Sequence, residues 1–262
     1  MKLIIFVTLL AIFSAGFAGA IVTGNYFDRI FVIWFENQDY SSVVNNTYLT
    51  SLYNSNEGEL LTNYFAVSHP SEPNYVASIY GSTAGITNDG DYNITGCNVV
   101  DLLEAKSISW KGYFENYTCG VCYTGDSCPT KKVDSSVLDT DISGNTVPQF
   151  AYYVPNLNDD GHDTSLTYAM NWFQTWFNAR RTNPNFNTNT LFVVIWDEAV
   201  SSTSNQVFAM LYGTPVVPTS NHDDNTAYTH YSIMKTVEAN WNLTNCNRND
   251  VTANQFMNLR HP

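Results

Sequence analysis

Ser71 stands between two prolines in His69-Pro70-Ser71-Glu72-Pro73-Asn74-Tyr75, just ahead of a segment that reads as a helix beginning near Asn74. A helix start presents free backbone N–H groups and the positive end of the helix dipole, so an anion beside that hydroxyl is favoured. The serine is therefore a candidate nucleophile toward an anionic substrate, and the alternative is that it only caps the helix. Two further pairs, Glu36-Asn37 and Asp197-Glu198, each follow directly on an unbroken apolar run. Three carboxylates and an amide oxygen gathered in one place suit a hard divalent cation, because without one the like charges repel and take up protons. The alternative here is that they are solvated strand ends.

The elements that must position these groups follow from the apolar pattern. Ile30 to Phe35 (IFVIWF) and Leu191 to Trp196 (LFVVIW) have the composition of central parallel strands buried on both faces. Val207 to Tyr212 reads as a further strand stopped by Gly213. Leu166 to Arg181 spaces Leu166, Ala169, Met170, Phe173, Trp176 and Phe177 as one helical face, with Thr164 or Ser165 as cap and two arginines in the last turn. Ser232 to Trp241 repeats that pattern, and Arg181 to Thr190 reads as a polar loop. Alternating strands and helices imply an α/β sandwich, whose ligand sites lie beyond the carboxyl ends of the strands, where both acidic pairs fall.

Composition narrows the partners. Of 262 residues 44% are hydrophobic, enough for one sizeable core, and no repeat or linker divides residues 21–262, which read as a single catalytic domain. The excess of 24 acidic over 11 basic side chains gives a formal charge of -13, which argues against nucleic acid and against stable membrane association. Residues 1–20 read as a secretory signal peptide: Lys2, an apolar run from Leu3 to Phe13, then small residues to Ala20. The polar ending carries no lipid-anchor tail and no retention tetrapeptide, so a soluble product in the secreted space or a lysosome-like vesicle lumen is expected. Sequons at Asn45, Asn93, Asn116 and Asn242 make N-glycans expected partners, and the five cysteines, Cys97, Cys119, Cys122, Cys128 and Cys246, read as two disulfides of undetermined pairing and one free thiol.

Six motifs in fixed order carry a resemblance. Glu36 to Tyr40 (ENQDY), His69 to Tyr75 (HPSEPNY), Trp110 to Glu115 (WKGYFE), Pro155 to Asp163 (PNLNDDGHD), Trp196-Asp197-Glu198 and Thr229 to Ser232 (THYS) resemble those of the phosphoesterase family, from about Phe27 to Leu243. That family holds secreted fungal-type acid phosphatases and bacterial non-specific phospholipases C, and HPSEPNY resembles the acid phosphatase branch. The resemblance implies an alkaline phosphatase-like fold, a three-layer α/β/α sandwich on a mostly parallel central sheet. It also implies one divalent metal, of unspecified identity, held by Glu36, Asn37, Ser71, Asp197 and Glu198. Ser71 matches the nucleophile, His162 a contact to phosphate oxygens with Asp163 beside it, and His69 and His230 further motif positions, His69 taken as catalytic and His230 as substrate-binding.

The expected reaction is hydrolysis of a small phosphate monoester by a metal-activated serine through a phosphoserine, with His162 biasing the rate toward acid pH. A phospholipase C-like phosphodiesterase using the same site is the alternative, to be separated by release of phosphocholine from a lecithin. A Ser-His-Asp esterase built on Ser71, His162 and Asp163 lacks the Gly-x-Ser-x-Gly elbow, and a carbohydrate-binding glycoprotein would need an exposed aromatic stripe that the sequence does not present.

Overall fold

In the computed structural model, which describes residues 20–116, 131–200 and 204–261, the chain forms ten strands among the described residues. They are β1 (Arg29–Phe35), β2 (Gly58–Leu61), β3 (Tyr64–Phe65), β4 (Trp110–Phe114) and β5 (Lys132–Asp134), then β6 (Phe150–Val154), β7 (Thr190–Trp196), β8 (Ala209–Tyr212), β9 (Asp223–Asp224) and β10 (Tyr228–Thr229). Eight of them make one sheet in the order β5-β4-β6-β1-β7-β8-β2-β9, and β10 pairs with β3 beside it. From β5 through β7 every pairing is parallel, whereas β8 runs antiparallel to both β7 and β2. The sheet is thus mostly parallel, as expected. All seven residues of β1 and all seven of β7 are buried, so both faces of the sheet centre are covered. Each Val, Leu, Ile or Phe placed there contributes about 1.5–3 kcal/mol relative to exposure.

The helices behave as their patterns predict, with two refinements. Helix Leu166–Asn178 starts at the Ser165 cap, whose Oγ accepts from Tyr168 N at 3.2 Å, and buries Ala169, Met170, Phe173, Trp176 and Phe177. It stops three residues short of Arg181. The following stretch is not simply a loop, because Asn183 caps a short helix, Pro184–Asn187, that drives Phe186 into the core. Proline at the first helical position and an amide cap outweigh the polar composition of that stretch. Gly213 ends β8 at φ +122°, where a Cβ would lie 2.2 Å from the Thr190 carbonyl oxygen. The expected start of β8 at Val207 moves to Ala209.

Helix Glu72–Tyr80 carries Ser71 at its head and is closed at its tail by residues far away in sequence. Gly81 caps it at φ +76°, and the Gly81 carbonyl accepts both Asn249 N (2.9 Å) and Asn249 Nδ2 (3.0 Å). Arg248 Nη1 donates to the carbonyls of Tyr80 (2.8 Å) and Cys97 (2.7 Å), with its guanidinium 3.5 Å over the Tyr80 ring. A Cys97–Cys246 disulfide locks the same corner. Cys119, Cys122 and Cys128, and the leader expected at residues 1–20 apart from Ala20, lie outside the described residues.

Candidate active site

Strand register alone brings the acidic pairs together. Phe35 and Trp196, the last residues of β1 and β7, are direct partners, and Asp197 N donates to the Phe35 carbonyl at 3.0 Å. The next residue on each strand, Glu36 and Asp197, therefore leaves the sheet at the same edge. Asn37 turns at φ +48°, and its N–H donates to Asp197 Oδ1 at 3.2 Å. Asn tolerates this left-handed conformation better than most residues, which lets the chain fold back over the edge.

Ser71 reaches the cluster from the helix side. It occupies the N-cap position, yet its hydroxyl makes no cap bond and instead donates to Glu198 Oε1 at 2.9 Å, with Asn37 Oδ1 at 3.4 Å. The capping alternative is thus set aside by geometry: the hydroxyl faces away from the free N–H groups of its own helix, toward the acids. His69 Nδ1 meets the other Glu198 oxygen, Oε2. Buried Asn74 secures the approach, accepting Val67 N and Ser68 N on Oδ1 (2.9 and 3.1 Å).

The electrostatics are those of crowded, buried carboxylates. Burial, then the neighbouring Glu36 charge, pushes the Asp197 carboxyl well above its ordinary range, and burial raises Glu36 despite the stabilising Tyr75 bond. Asp197 is fully buried, and among the described residues its Oδ2 has no hydrogen-bond partner. A buried carboxylate oxygen left bare is costly unless a charge of opposite sign meets it. Among the described residues no three His, Cys, Asp or Glu side chains form a ready metal cluster on their own. The fit to a hard divalent ion accordingly depends on the Asn37 amide and Ser71 hydroxyl oxygens joining Glu36, Asp197 and Glu198, an all-oxygen donor set suited to such an ion.

His162 and Asp163 stand at the rim, both exposed at their side chains, with Nδ1 of the ring 2.7 Å from Asp163 Oδ1. That bond holds the imidazole above its ordinary value of 6.5, and Glu36 adds to the effect. The His162 backbone N–H rests on Asp160 Oδ1 at 2.8 Å, and burial pushes the Asp160 carboxyl up to about 7. His230 is placed differently from the expectation of a substrate contact. It is fully buried at the head of helix Tyr231–Trp241, with Nε2 2.6 Å from the Asp197 carbonyl oxygen and Nδ1 3.4 Å from the Tyr64 hydroxyl. Burial lowers it to about 4, so its ring is neutral and donates to that carbonyl. The correction is that His230 braces the loop bearing Asp197 from behind, where a substrate does not reach.

Tyr75 is a site residue that sequence reasoning quoted within its motif without assigning a role. Its ring is half-buried against Trp34 and its hydroxyl donates to Glu36 Oε1 at 2.7 Å. The signal was present in the spacing, since Ser71 and Tyr75 are four apart and so share a face at the helix head. Tyr75→Phe is expected to weaken divalent-metal binding by about tenfold or more, as loss of a ligand's supporting bond does. Equilibrium dialysis of the folded variant measures this, and an unchanged affinity would contradict the bracing role.

Comparison with known proteins adds three findings. A family model described as the Phosphoesterase family matches residues 30–244. An acid phosphatase of Aspergillus fumigatus is 34% identical over 266 residues, covering 89% of this chain and 59% of that protein, and a phosphate-repressible acid phosphatase of Penicillium chrysogenum is 34% identical over 264 residues, covering 89% and 63%. The chain thus spans about three fifths of the length of these curated relatives. Among solved structures, a protein in the alkaline phosphatase superfamily from Vibrio parahaemolyticus superposes with a TM-score of 0.57 at 13% identity, over 84% of this chain and 67% of that one, a likeness of fold.

Proposed function

The chain belongs to the phosphoesterase family, and from that premise we propose that it is a metal-dependent acid phosphatase that hydrolyses small phosphate monoesters through a phosphoserine at Ser71. The observation that carries this reading is the Ser71 hydroxyl, which forgoes its helix cap to bond Glu198 among strand-end carboxylates. The acid phosphatase names of the fungal relatives support the substrate class.

A divalent ion held by Glu36, Asn37, Ser71, Asp197 and Glu198 would lower the pKa of the serine hydroxyl and screen the carboxylates from the anionic substrate. The remaining steps belong to the chain. The Ser71 proton leaves along its bond to Glu198, whose second oxygen is steadied by His69. Oγ attacks phosphorus, the Oγ–P bond forms as the bond to the ester oxygen breaks, and His162 gives that oxygen its proton. Water then displaces phosphate from Oγ, with His162 accepting the water's proton and Glu198 returning one to Oγ.

His162 also sets the pH dependence. Its protonated form is the acid, and Asp163 extends that form above the ordinary imidazole value. The rate is therefore full below the raised pKa and falls as pH rises through it. Asp163→Asn is expected to move this alkaline limb to lower pH, read from kcat between about pH 4 and pH 9. A limb that stays in place would remove His162 from the acid role.

We infer a secreted or lysosome-like luminal setting from the leader expected at residues 1–20 and the four sequons. Among the described residues no helix is long and apolar enough to cross a membrane. Phosphate release from an aryl phosphate at acid pH, before and after chelation, tests the whole reading. Release that survives exhaustive chelation would overturn the metal, and absence of release from metal-loaded protein would overturn the activity.

A further inference from the structure

A cleft of about 420 Å³ opens at the carboxyl ends of β4 and β6, bordered by Glu36, Glu115, Asn156, Leu157, Asn158 and Asp160. Its size lies in the range of small-molecule sites. One wall, Glu36, belongs to the carboxylate cluster and Asp160 holds the His162 backbone N–H, and the other walls have no part in the chemistry described above. The sheet order places the cleft on one flank: β4, then β6, then β1 with Glu36, then β7 with Asp197. Ser71 is tied to Asn37 and Glu198, which follow β1 and β7, while the cleft opens at β4 and β6. His162 stands on the cleft side, its N–H resting on Asp160.

In phosphoryl displacement the attacking and leaving oxygens lie on opposite sides of phosphorus. A phosphoryl group placed between Ser71 and His162 turns its alcohol toward His162 and hence toward the cleft. We propose that this cleft is the leaving-group subsite, and that it accepts uncharged polyhydroxy alcohols while disfavouring leaving groups that carry a second anionic group. The proposal rests on the phosphatase reading and adds the class of alcohol to it.

The lining supports that selection. Among the described residues it contains no Lys, Arg or His and no aromatic ring, so none of them offers a second phosphate or a quaternary ammonium its usual partner. The Glu115 carboxylate is fixed in place by the Tyr153 hydroxyl (2.7 Å), Asn156 N (3.1 Å) and Asn156 Nδ2 (2.8 Å), and a fixed carboxylate repels an incoming anion. Among the described residues nothing bonds the Asn158 side-chain amide, which offers a donor and an acceptor, the pair a hydroxyl needs. Leu157, half exposed, supplies an apolar surface for the C–H face of a polyol.

The test compares kcat/KM for a hexose monophosphate and the matching hexose bisphosphate at low ionic strength, with an aryl phosphate as reference. The parent protein is expected to favour the monophosphate by about tenfold or more, the scale of one poorly screened like-charge contact. Leu157→Lys, at a half-exposed site that tolerates a long side chain, is expected to bring that ratio to about one by supplying a cation at the cleft. Ser51→Lys adds the same charge on helix Thr47–Tyr53, which packs on β2 and β8 in the other half of the sheet, and is expected to leave the ratio unchanged. An equal preference in the parent, or a ratio that moves as much with Ser51→Lys as with Leu157→Lys, would overturn the subsite while leaving phosphatase activity standing. Failure of the parent to release phosphate from the aryl ester would instead overturn the activity itself.

Discussion

Ser71→Ala is expected to lower kcat toward an aryl phosphate by at least about a thousandfold, since removing a nucleophile leaves only the electrostatic remainder of the site. The size of the effect follows from what surrounds the hydroxyl. Glu198 and Asn37 accept or flank it, and among the described residues no other serine, threonine or cysteine side chain shares those partners. Because the hydroxyl makes no cap bond, its loss spares the helix, and Pro73 and the Glu72 carboxylate still support the first turn. The melting temperature should stay within a few degrees of the parent, by the scale of ordinary polar substitutions at half-buried positions. Trapping of a phosphorylated residue by acid quench should fail in the variant. A variant that keeps a tenth of the parent rate would show that water attacks the ester directly, with Ser71 reduced to a ligand.

The second large effect belongs to Asp197→Asn, and it carries two signs. Activity should fall by about a thousandfold, because the substitution removes a carboxylate at the centre of the oxygen cluster. Stability without metal should rise, because a fully buried carboxylate with one bare oxygen is replaced by a neutral amide of the same shape. The gain comes from removing the like charge beside Glu36 and is on the order of 1–4 kcal/mol, the Coulomb energy of two unit charges about 4 Å apart between water and a partly screened site. Adding a divalent ion at a hundred times its dissociation constant should stabilise the parent by about 2.7 kcal/mol and the variant far less. Thermal melts of both proteins, with and without the ion, give the four values. A variant that melts lower than the metal-free parent would mean that Asp197 holds the loop by its charge, and the cation-site argument would fail.

Both predictions draw on features that differed in how openly the sequence displayed them. The strands that lead into Glu36 and Asp197 were legible because a strand buried on both faces must be apolar throughout, and the first polar residue after it then marks the sheet edge. That the two strands are neighbours is a matter of long-range pairing, and composition is silent on it. Ser71 was legible through its flanking prolines, but the direction of its hydroxyl depends on Glu198, 127 positions away. His230 misled because a histidine in a recurring motif suggests chemistry, whereas burial against Trp34 and Tyr64 makes it a neutral brace. Phe186 was hidden in a polar stretch, since one buried ring among asparagines and threonines leaves no periodic trace. The cleft beside β4 and β6 had no local signature at all, because its walls come from segments some forty residues apart.

The tail of the Ser71 helix is fastened by Arg248, Asn249 and the Cys97–Cys246 bridge. During biosynthesis, the stretch bearing Ser71 leaves the ribosome well before the residues that clamp it. The helix it heads therefore gains its final anchorage only after residue 249 has emerged and thiol oxidation has followed, so a nascent chain halted earlier is left without this clamp.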